Sequence, residues 1–381
     1  MNFIKKTAIL ITIVFTSNLI NSQTVNIPDS NFKAELINNN SINTNSDTEI
    51  QISEALAYSG TIDVSSKGIS DLTGIEAFTQ ISELNCSFNQ LSSLDISNNT
   101  NLTFLDCGYN SNISTLNVLN NTSLTYLHCG QNSISTLDLS NNISLETLFC
   151  FNNELTNLDV SLNTSLLLFY CGGNQLTNLN ITNNLSLIDL ECGGSNIFTT
   201  LDLSNNIALK FIHITGSQLI LLDLSNNTNL IEVYAGYSNT LTNIDFRNGN
   251  NTVIVDSNRF QAEYCPNLTC IFVDDIAYSN LNWTRIDNAT TFVETEEECN
   301  LLSVDDYNEI GSLKIYPNPT SKILNVNIPI NKLIIYNLQG KKLLESKKQN
   351  INIESLSKGM YLIQIVGKEN NLMITTKLIK K

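Results

Sequence analysis

The sequence predicts a mainly β protein: a right-handed solenoid of short coils with a short helical N-terminal cap, followed by a small antiparallel β-sandwich domain. Three observations predict it. A pattern of 21 or 22 residues recurs about eight times between Ile81 and Asn251, and a short unit repeated at a fixed period stacks into a solenoid. Beyond Leu313 that period is lost, and alternating apolar runs appear, broken by Pro-Asn-Pro, Gln-Gly and Lys-Gly, as in short antiparallel strands. The charge changes at the same place: the chain carries −16 overall, yet from Leu313 onward 12 Lys face 3 Glu, leaving +9 there and −25 before it. So acidic a body argues against nucleic acid or an anionic membrane as partner, because phosphate contacts need Lys and Arg.

The first element, residues 1–23, reads as a secretory signal peptide. Lys5 and Lys6 precede the apolar run Thr7 to Phe15, and the mostly polar stretch Thr16 to Gln23 follows. No later apolar run is long enough to span a bilayer, so the mature chain is expected without a transmembrane segment.

Residues 24–59 read as the N-terminal cap. "IPDSNFKAELI" has the spacing of a short amphipathic helix with Asp29 or Ser30 at its start. The next segment places oxygen-bearing side chains at positions 1, 3, 5, 7 and 12 of a twelve-residue loop: Asn43, Asn45, Asp47, Glu49 and Glu54. The loop is similar to an EF-hand, and the resemblance implies a weak Ca²⁺ site in which Glu49 offers its main-chain carbonyl and Glu54 closes the sphere. Two departures weaken it: Asn43 stands where an Asp is usual, and Thr48 stands where a Gly allows the sharp turn. The alternative is a metal-free staple between helix and solenoid. Calcium is the one cofactor the sequence suggests.

Residues 60–251 are the solenoid. In each unit apolar residues fall at positions 1, 4, 6, 11, 14 and 16, with Asn favoured at 9 and 19, so the unit is two nested halves reading LxxLxLxxN. Alternation at positions 4 to 6 makes a short strand with 4 and 6 inward. Asn89, Asn132, Asn153 and Asn174 in the first half, and Asn99, Asn121, Asn142, Asn163, Asn184, Asn206 and Asn227 in the second, fall where a buried amide satisfies backbone groups of the neighbouring coil. This pattern resembles the leucine-rich-repeat superfamily, in the bacterial class with two similar halves per repeat, and implies short strands in both halves, hence two parallel sheets.

Nine cysteines fall into two sets. Cys86, Cys107, Cys129, Cys150, Cys171 and Cys192 all occupy position 6 and are expected as an inward ladder of free thiols, since Ile214 and Ala235 replace them later. Cys265, Cys270 and Cys299 lie in residues 252–300, read as a C-terminal cap over the open coil, where an uncapped end would leave apolar side chains and strand edges in water. A Cys270–Cys299 disulfide is expected, leaving Cys265 unpaired, with Trp283 packed inside the cap.

Residues 301–312 form an acidic linker. Residues 313–381 contain Tyr316-Pro317-Asn318-Pro319, Tyr336-Asn337-Leu338-Gln339-Gly340-Lys341, Gly359-Met360-Tyr361 and a basic end at Lys377 to Lys381. Together these resemble the C-terminal sorting domain of type IX secretion in the Bacteroidetes. The resemblance implies export to the periplasm, passage through the outer membrane by the secretion machinery, and attachment to or release from the cell surface.

No catalytic constellation appears, and the chain is expected not to be an enzyme. The two histidines, His128 and His213, sit four coils apart, roughly 19 Å at the strand spacing of a sheet, too far to share a metal or a proton. The candidate ligand-binding residues lie on the outward strand positions: Phe104, Tyr126, His128, Phe149, Tyr170, Phe211, His213 and Tyr234. Solvent-facing aromatics in a row mark an interaction face. The expected function is binding of a protein or glycan ligand, or adhesion, at the cell surface. A surface spacer or scaffold without a specific ligand is the alternative.

Overall fold

The computed structural model describes residues 23–302, 314–327, 329–367 and 373–381. All but the last residue of the predicted signal peptide, and most of the acidic linker, lie outside them. The chain divides into two compact units, Met1–Thr295 and Glu296–Lys381.

The first unit opens with α1 (Ser30–Asn38), started by Asp29, whose carboxylate accepts from Asn31 N and Phe32 N. Phe32 and Leu36 are buried on its inner face. A loop and α2 (Ile52–Ala57) lead into the coils. Their strands are β1 (Thr61–Asp63), β2 (Glu83–Asn85), β3 (Phe104–Asp106), β4 (Tyr126–His128), β5 (Thr147–Phe149), β6 (Leu168–Tyr170), β7 (Asp189–Glu191), β8 (Phe211–His213), β9 (Leu221–Asp223), β10 (Glu232–Tyr234), β11 (Asn243–Asp245), β12 (Phe260–Ala262), β13 (Cys270–Phe272), β14 (Arg285–Ile286) and β15 (Thr291–Val293). Eleven of these form one parallel sheet, in which Ile62, Leu84, Leu105, Leu127 and Leu148 stand in register as an inward row.

The second sheet is shorter than the repeat implies. It contains only β9, β11, β13 and β15. In the earlier coils the corresponding stretch is Ser92-Ser93, Ser114-Thr115 or Thr156-Asn157, types that hydrogen-bond locally and compete with a β ladder. Strand pairing begins where Ile220-Leu221 replaces them.

Side-chain amides hold the earlier second halves together. Asn142 Nδ2 donates to Val118 O and Asn121 O; Asn163 Nδ2 donates to Leu139 O and Asn142 O; Asn184 repeats the pattern on Val160 O and Asn163 O. The first-half amides do likewise against the cysteine carbonyls, and Asn110 and Asn196 belong to that row as well. Each coil is therefore stitched to the one before it by buried amides.

At the far end α3 (Ile276–Asn282) and the longer last coils close the core. Trp283 is buried, stacks on Phe260 at 4.2 Å and donates Nε1 to Ile254 O. Cys270 and Cys299 are the disulfide-bonded cysteines, and Cys265 is free and buried.

The second unit begins with α4 (Glu296–Leu302) and contains two small antiparallel sheets. One holds β16 (Ile315–Tyr316), β17 (Ile323–Val326) and β20 (Asn350–Asn352); the other holds β18 (Ile330–Tyr336), β19 (Lys342–Ser346), β21 (Gly359–Gly367) and β22 (Met373–Lys380). Leu324, Leu333, Ile335, Ile351, Ile363 and Leu378 fill its core. The sequence motifs are its fasteners. Asn318 pairs with β22 through Nδ2 to Lys377 O and Ile379 N to Oδ1, and Asn337 Oδ1 accepts from Gln339 N and Lys341 N to shape the turn at Gly340.

Candidate ligand-binding face

The outward positions of β3 to β10 carry the predicted residues, and the structure brings most of them into direct ring contact. Phe104 stacks on Tyr126 at 4.4 Å, Tyr126 meets Phe149 edge-on at 5.8 Å, and Phe149 stacks on Tyr170 at 4.6 Å. His128 joins the same cluster through Phe149. Farther along the sheet His213 stacks on Tyr234 at 4.6 Å. Phe211 stands in register between Asp189 and Glu232. These side chains face outward as expected, but they shield one another and are half-buried, His128 more deeply. The solvent-exposed rings lie elsewhere.

Each coil turns, just past its strand, through one residue in the left-handed region. Successive occupants are Ser66, Phe88, Tyr109, Gln131, Asn152, Gly173, Gly194, Gly216, Tyr237 and Tyr264, with φ between 51° and 73°. Glycine and asparagine suit that conformation; bulky side chains pay for it in strain. Phe88, Tyr237 and Tyr264 are nevertheless there, and they are 55%, 62% and 60% exposed. Phe88 stacks on Tyr109 at 4.2 Å and Tyr237 on Tyr264 at 4.6 Å. Tyr109 also meets His128 and Phe151, which joins the Phe88 pair to the strand-face cluster. Sequence reading missed this row because strand periodicity says nothing about the turn. The signal was present in a single repeat position that holds Gly or Asn in the middle coils and Phe or Tyr on either side of them.

Acidic groups fill the middle of the face. Tyr170 donates its hydroxyl to Asp189 Oδ2 at 2.7 Å, while Asp189 Oδ1 is buried without a hydrogen-bond partner. His213 Nε2 lies 3.0 Å from Glu232 Oε1, and His128 Nδ1 lies 3.0 Å from Asp106 Oδ1. Burial pushes the Glu191 carboxyl above its usual range; nearby His213 opposes that and Asp189 adds to it. Burial likewise raises the Tyr170 phenol, helped by its bond to Asp189. Beside Glu191, where Gly172, Gly173, Gly193 and Gly194 replace larger residues, the surface sinks into a depression of about 410 Å³.

Asp95, Asp138, Asp159 and Asp202 stand at one position of the second half of the repeat. Each carboxylate accepts from the backbone of the Ser two residues on; that bond and then the Ser hydroxyl hold Asp95 and Asp138 below the usual carboxylate pKa, and for Asp159 and Asp202 the hydroxyl is the larger cause and the backbone bond the second.

The chain itself engages the side chains of Asn45, Asp47, Glu49 and Glu54 in the loop read as a calcium site, while Asn43 Oδ1, at the first loop position, is buried with no hydrogen-bond partner. Glu54 Oε1 accepts from Thr44 N, Thr44 Oγ1 and Asn45 N, and Oε2 accepts from Gln51 N. Asp47 Oδ1 accepts from Glu49 N and Oδ2 from Asn45 and Gln51 amides. Asn45 Oδ1 accepts from Asp47 N, Asn43 Nδ2 donates to Ile37 O and Asp47 O, and Glu49 pairs with Lys33 at 2.7 Å. Among the described residues no group of three or more His, Cys, Asp or Glu is placed to hold a metal ion. Both carboxylates an EF-hand would aim at an ion, Asp47 and Glu54, have both oxygens committed to hydrogen bonds, and Asn43 Oδ1 is the one loop acceptor left buried and unpaired.

The cysteine ladder is chemically quiet. Cys86 to Cys192 are free and buried, and desolvation raises every thiol, Cys150 and Cys192 to about 12.

Residues 314–381 match the family described as the secretion system C-terminal sorting domain. No curated protein matches the chain. Among solved structures, the functional domain of InlJ from Listeria monocytogenes, described as including a cysteine ladder, is similar at 20% identity over 94% of this chain and 98% of that one, with a TM-score of 0.37. Internalin C2 of Listeria monocytogenes is similar at 19% identity over 54% of this chain and 96% of that one, TM-score 0.46. A leucine-rich-repeat protein of Leptospira interrogans is similar at 21% identity over 49% of this chain and 48% of that one, TM-score 0.42. Among the described residues no helix is long and apolar enough to cross a membrane.

Proposed function

We propose that this leucine-rich-repeat chain, exported through its C-terminal sorting domain, acts at the cell surface as an adhesion or capture protein that holds a protein or glycan ligand against its aromatic strand face. The observation that carries the reading is the unbroken run of ring contacts from Phe88 through Tyr109, His128 and Phe149 to Tyr170. Aromatic side chains give large contact area for little conformational entropy, and a row of them on a rigid sheet is pre-organised for binding. Each imidazole is paired with its own carboxylate in a separate coil, so the face supports recognition and no catalytic step is assigned to it.

The spacer reading has one observation in its favour: the predicted rings are half-buried against each other and stabilise neighbouring coils as packing. A variant carrying Tyr126→Ser, Phe149→Ser, Tyr170→Ser and Tyr234→Ser separates the two. Loss of adhesion to cell surfaces or of ligand capture, with retained circular dichroism, supports binding. Unchanged adhesion on every surface tested leaves the spacer.

A further inference from the structure

Resting on the reading of the solenoid as a binding module, we propose that the ligand is a neutral glycan chain, and that it lies along the row of left-handed turn residues, in the glycine-floored depression between the two exposed aromatic pairs. Backbone strain is the first argument. Four coils place Phe or Tyr where Ser66, Asn152 and Gly216 show that smaller residues serve the same turn. The left-handed conformation costs an ordinary side chain about 1–2 kcal/mol. Three of these rings are more than half exposed, so burial returns little of that cost. The rings stack in pairs, yet strain kept with so little burial to offset it points to a ligand.

The second argument is spacing. Tyr109 and Tyr237 bracket Gln131, Asn152, Gly173, Gly194 and Gly216 in successive coils. At the strand spacing of a sheet that interval is roughly 29 Å. It suits a linear polymer with an aromatic platform at each end of the track.

The third argument is chemistry. The depression offers the Asn152 amide, the Ser195 hydroxyl, the Glu191 carboxylate and Tyr234 stacked on His213. Planar amide and carboxylate groups beside a ring face recognise a sugar, whose hydroxyls need hydrogen bonds while its C–H face needs an apolar surface. The main chain of the track is already used: Asn152 N donates to Gly172 O, Gly173 N to Gly193 O, Gly194 N to Thr215 O and Gly216 N to Gly236 O. It cannot add an extended peptide as a further strand, which needs a row of free backbone groups. The charge of −25 before Leu313 disfavours a sulfated or uronic-acid polymer.

The test uses the intact secreted chain in native affinity gels containing laminarin, xyloglucan, galactomannan or yeast mannan, with dextran sulfate as the anionic comparison. Retardation by at least one neutral polymer is expected, and none by dextran sulfate. Gly216→Asn keeps a residue type the turn already accepts at Asn152. A Cβ at Gly216 lies nearest the backbone of Gly194, 3.6 Å away, so the substitution adds a side chain on the track directly beside a residue that lines the depression. The variant should weaken retardation roughly tenfold with an unchanged melting temperature. Tyr237→Ser with Tyr264→Ser should weaken it similarly without loss of stability, since Ser66 occupies the same turn. Retardation by none of the four neutral polymers, or by dextran sulfate alone, overturns the proposal, as does wild-type retardation of both variants. If a protein ligand is captured and then lost in the Tyr126/Phe149/Tyr170/Tyr234 variant while no glycan binds, the binding module stands and only the glycan assignment falls.

Discussion

Glu54 and the buried asparagines show what single side chains do here. Glu54 is buried, and burial works to raise its pKa, but hydrogen bonds from Gln51 N, Thr44 and Asn45 outweigh it and the net shift is downward. A depressed carboxylate stabilises the fold above its ordinary pKa, and that stability is lost as pH falls through the lower folded-state value. Glu54→Ala should therefore lower the melting temperature at pH 7, by the equivalent of about 2–3 kcal/mol, equally in EDTA and in millimolar calcium. The difference from wild type should shrink toward pH 3. A melting temperature that rises with calcium in wild type alone would support the metal reading. The ladder thiols give a second residue-scale expectation: a thiol reagent applied at pH 8 to the native chain should leave Cys86 to Cys192 unlabelled, and denaturant should expose them all. Positions 6, 9 and 19 were legible in the sequence because burial constrains residue type there. The role of Glu54 was not, since its partners are backbone groups that a spacing rule reads equally well as a metal sphere.

At the scale of the coil, close stacking decides which residues are tolerated. A Cβ at Gly193 would lie 2.3 Å from Thr215 O and 2.6 Å from Ile214 C, both backbone atoms of the next coil. Gly193→Ala must separate the two coils and should cost about 1–3 kcal/mol, read in a urea melt; a cost within error would mean the coils are less tightly apposed than described. Asn163→Ala removes donors from two buried carbonyls, Leu139 O and Asn142 O, and should cost a similar amount. The strand half of the repeat was readable from period-two alternation. The missing second sheet in the early coils was not, because LxxLxL places the same apolar residues inward whether or not the main chain pairs. The exposed aromatic row escaped for a related reason: left-handed turns are set by how the coil bends after the strand, and the apolar period passes over them.

For the whole molecule, the address lies in the second unit and the proposed recognition face in the first. The sandwich carries the excess of Lys and matches a sorting domain, while the solenoid carries the acid and the aromatic face. Deleting residues 314–381 should leave the solenoid folded and abolish its appearance outside the cell, with the truncated protein accumulating in the periplasm, as cell fractionation would show. Normal surface display of the truncation would remove the sorting role. The motifs that identified this unit are turn residues and fasteners such as Asn318 and Asn337, which is why a few short patterns were enough to recognise it.

What the sequence alone determined is what burial and period constrain: the stacked coils, the inward cysteines and the amide stitching. A buried position accepts few residue types, and a repeat shows that preference eight times over. The tertiary structure decided which outward side chains remain open to solvent. Phe149 and Tyr126 looked exposed in the strand pattern but cover each other across adjacent coils, while Tyr237 and Tyr264 stay open because a left-handed turn holds them clear of the sheet. Exposure depends on the neighbouring coil as much as on the residue, and only the packed solenoid brings the two together.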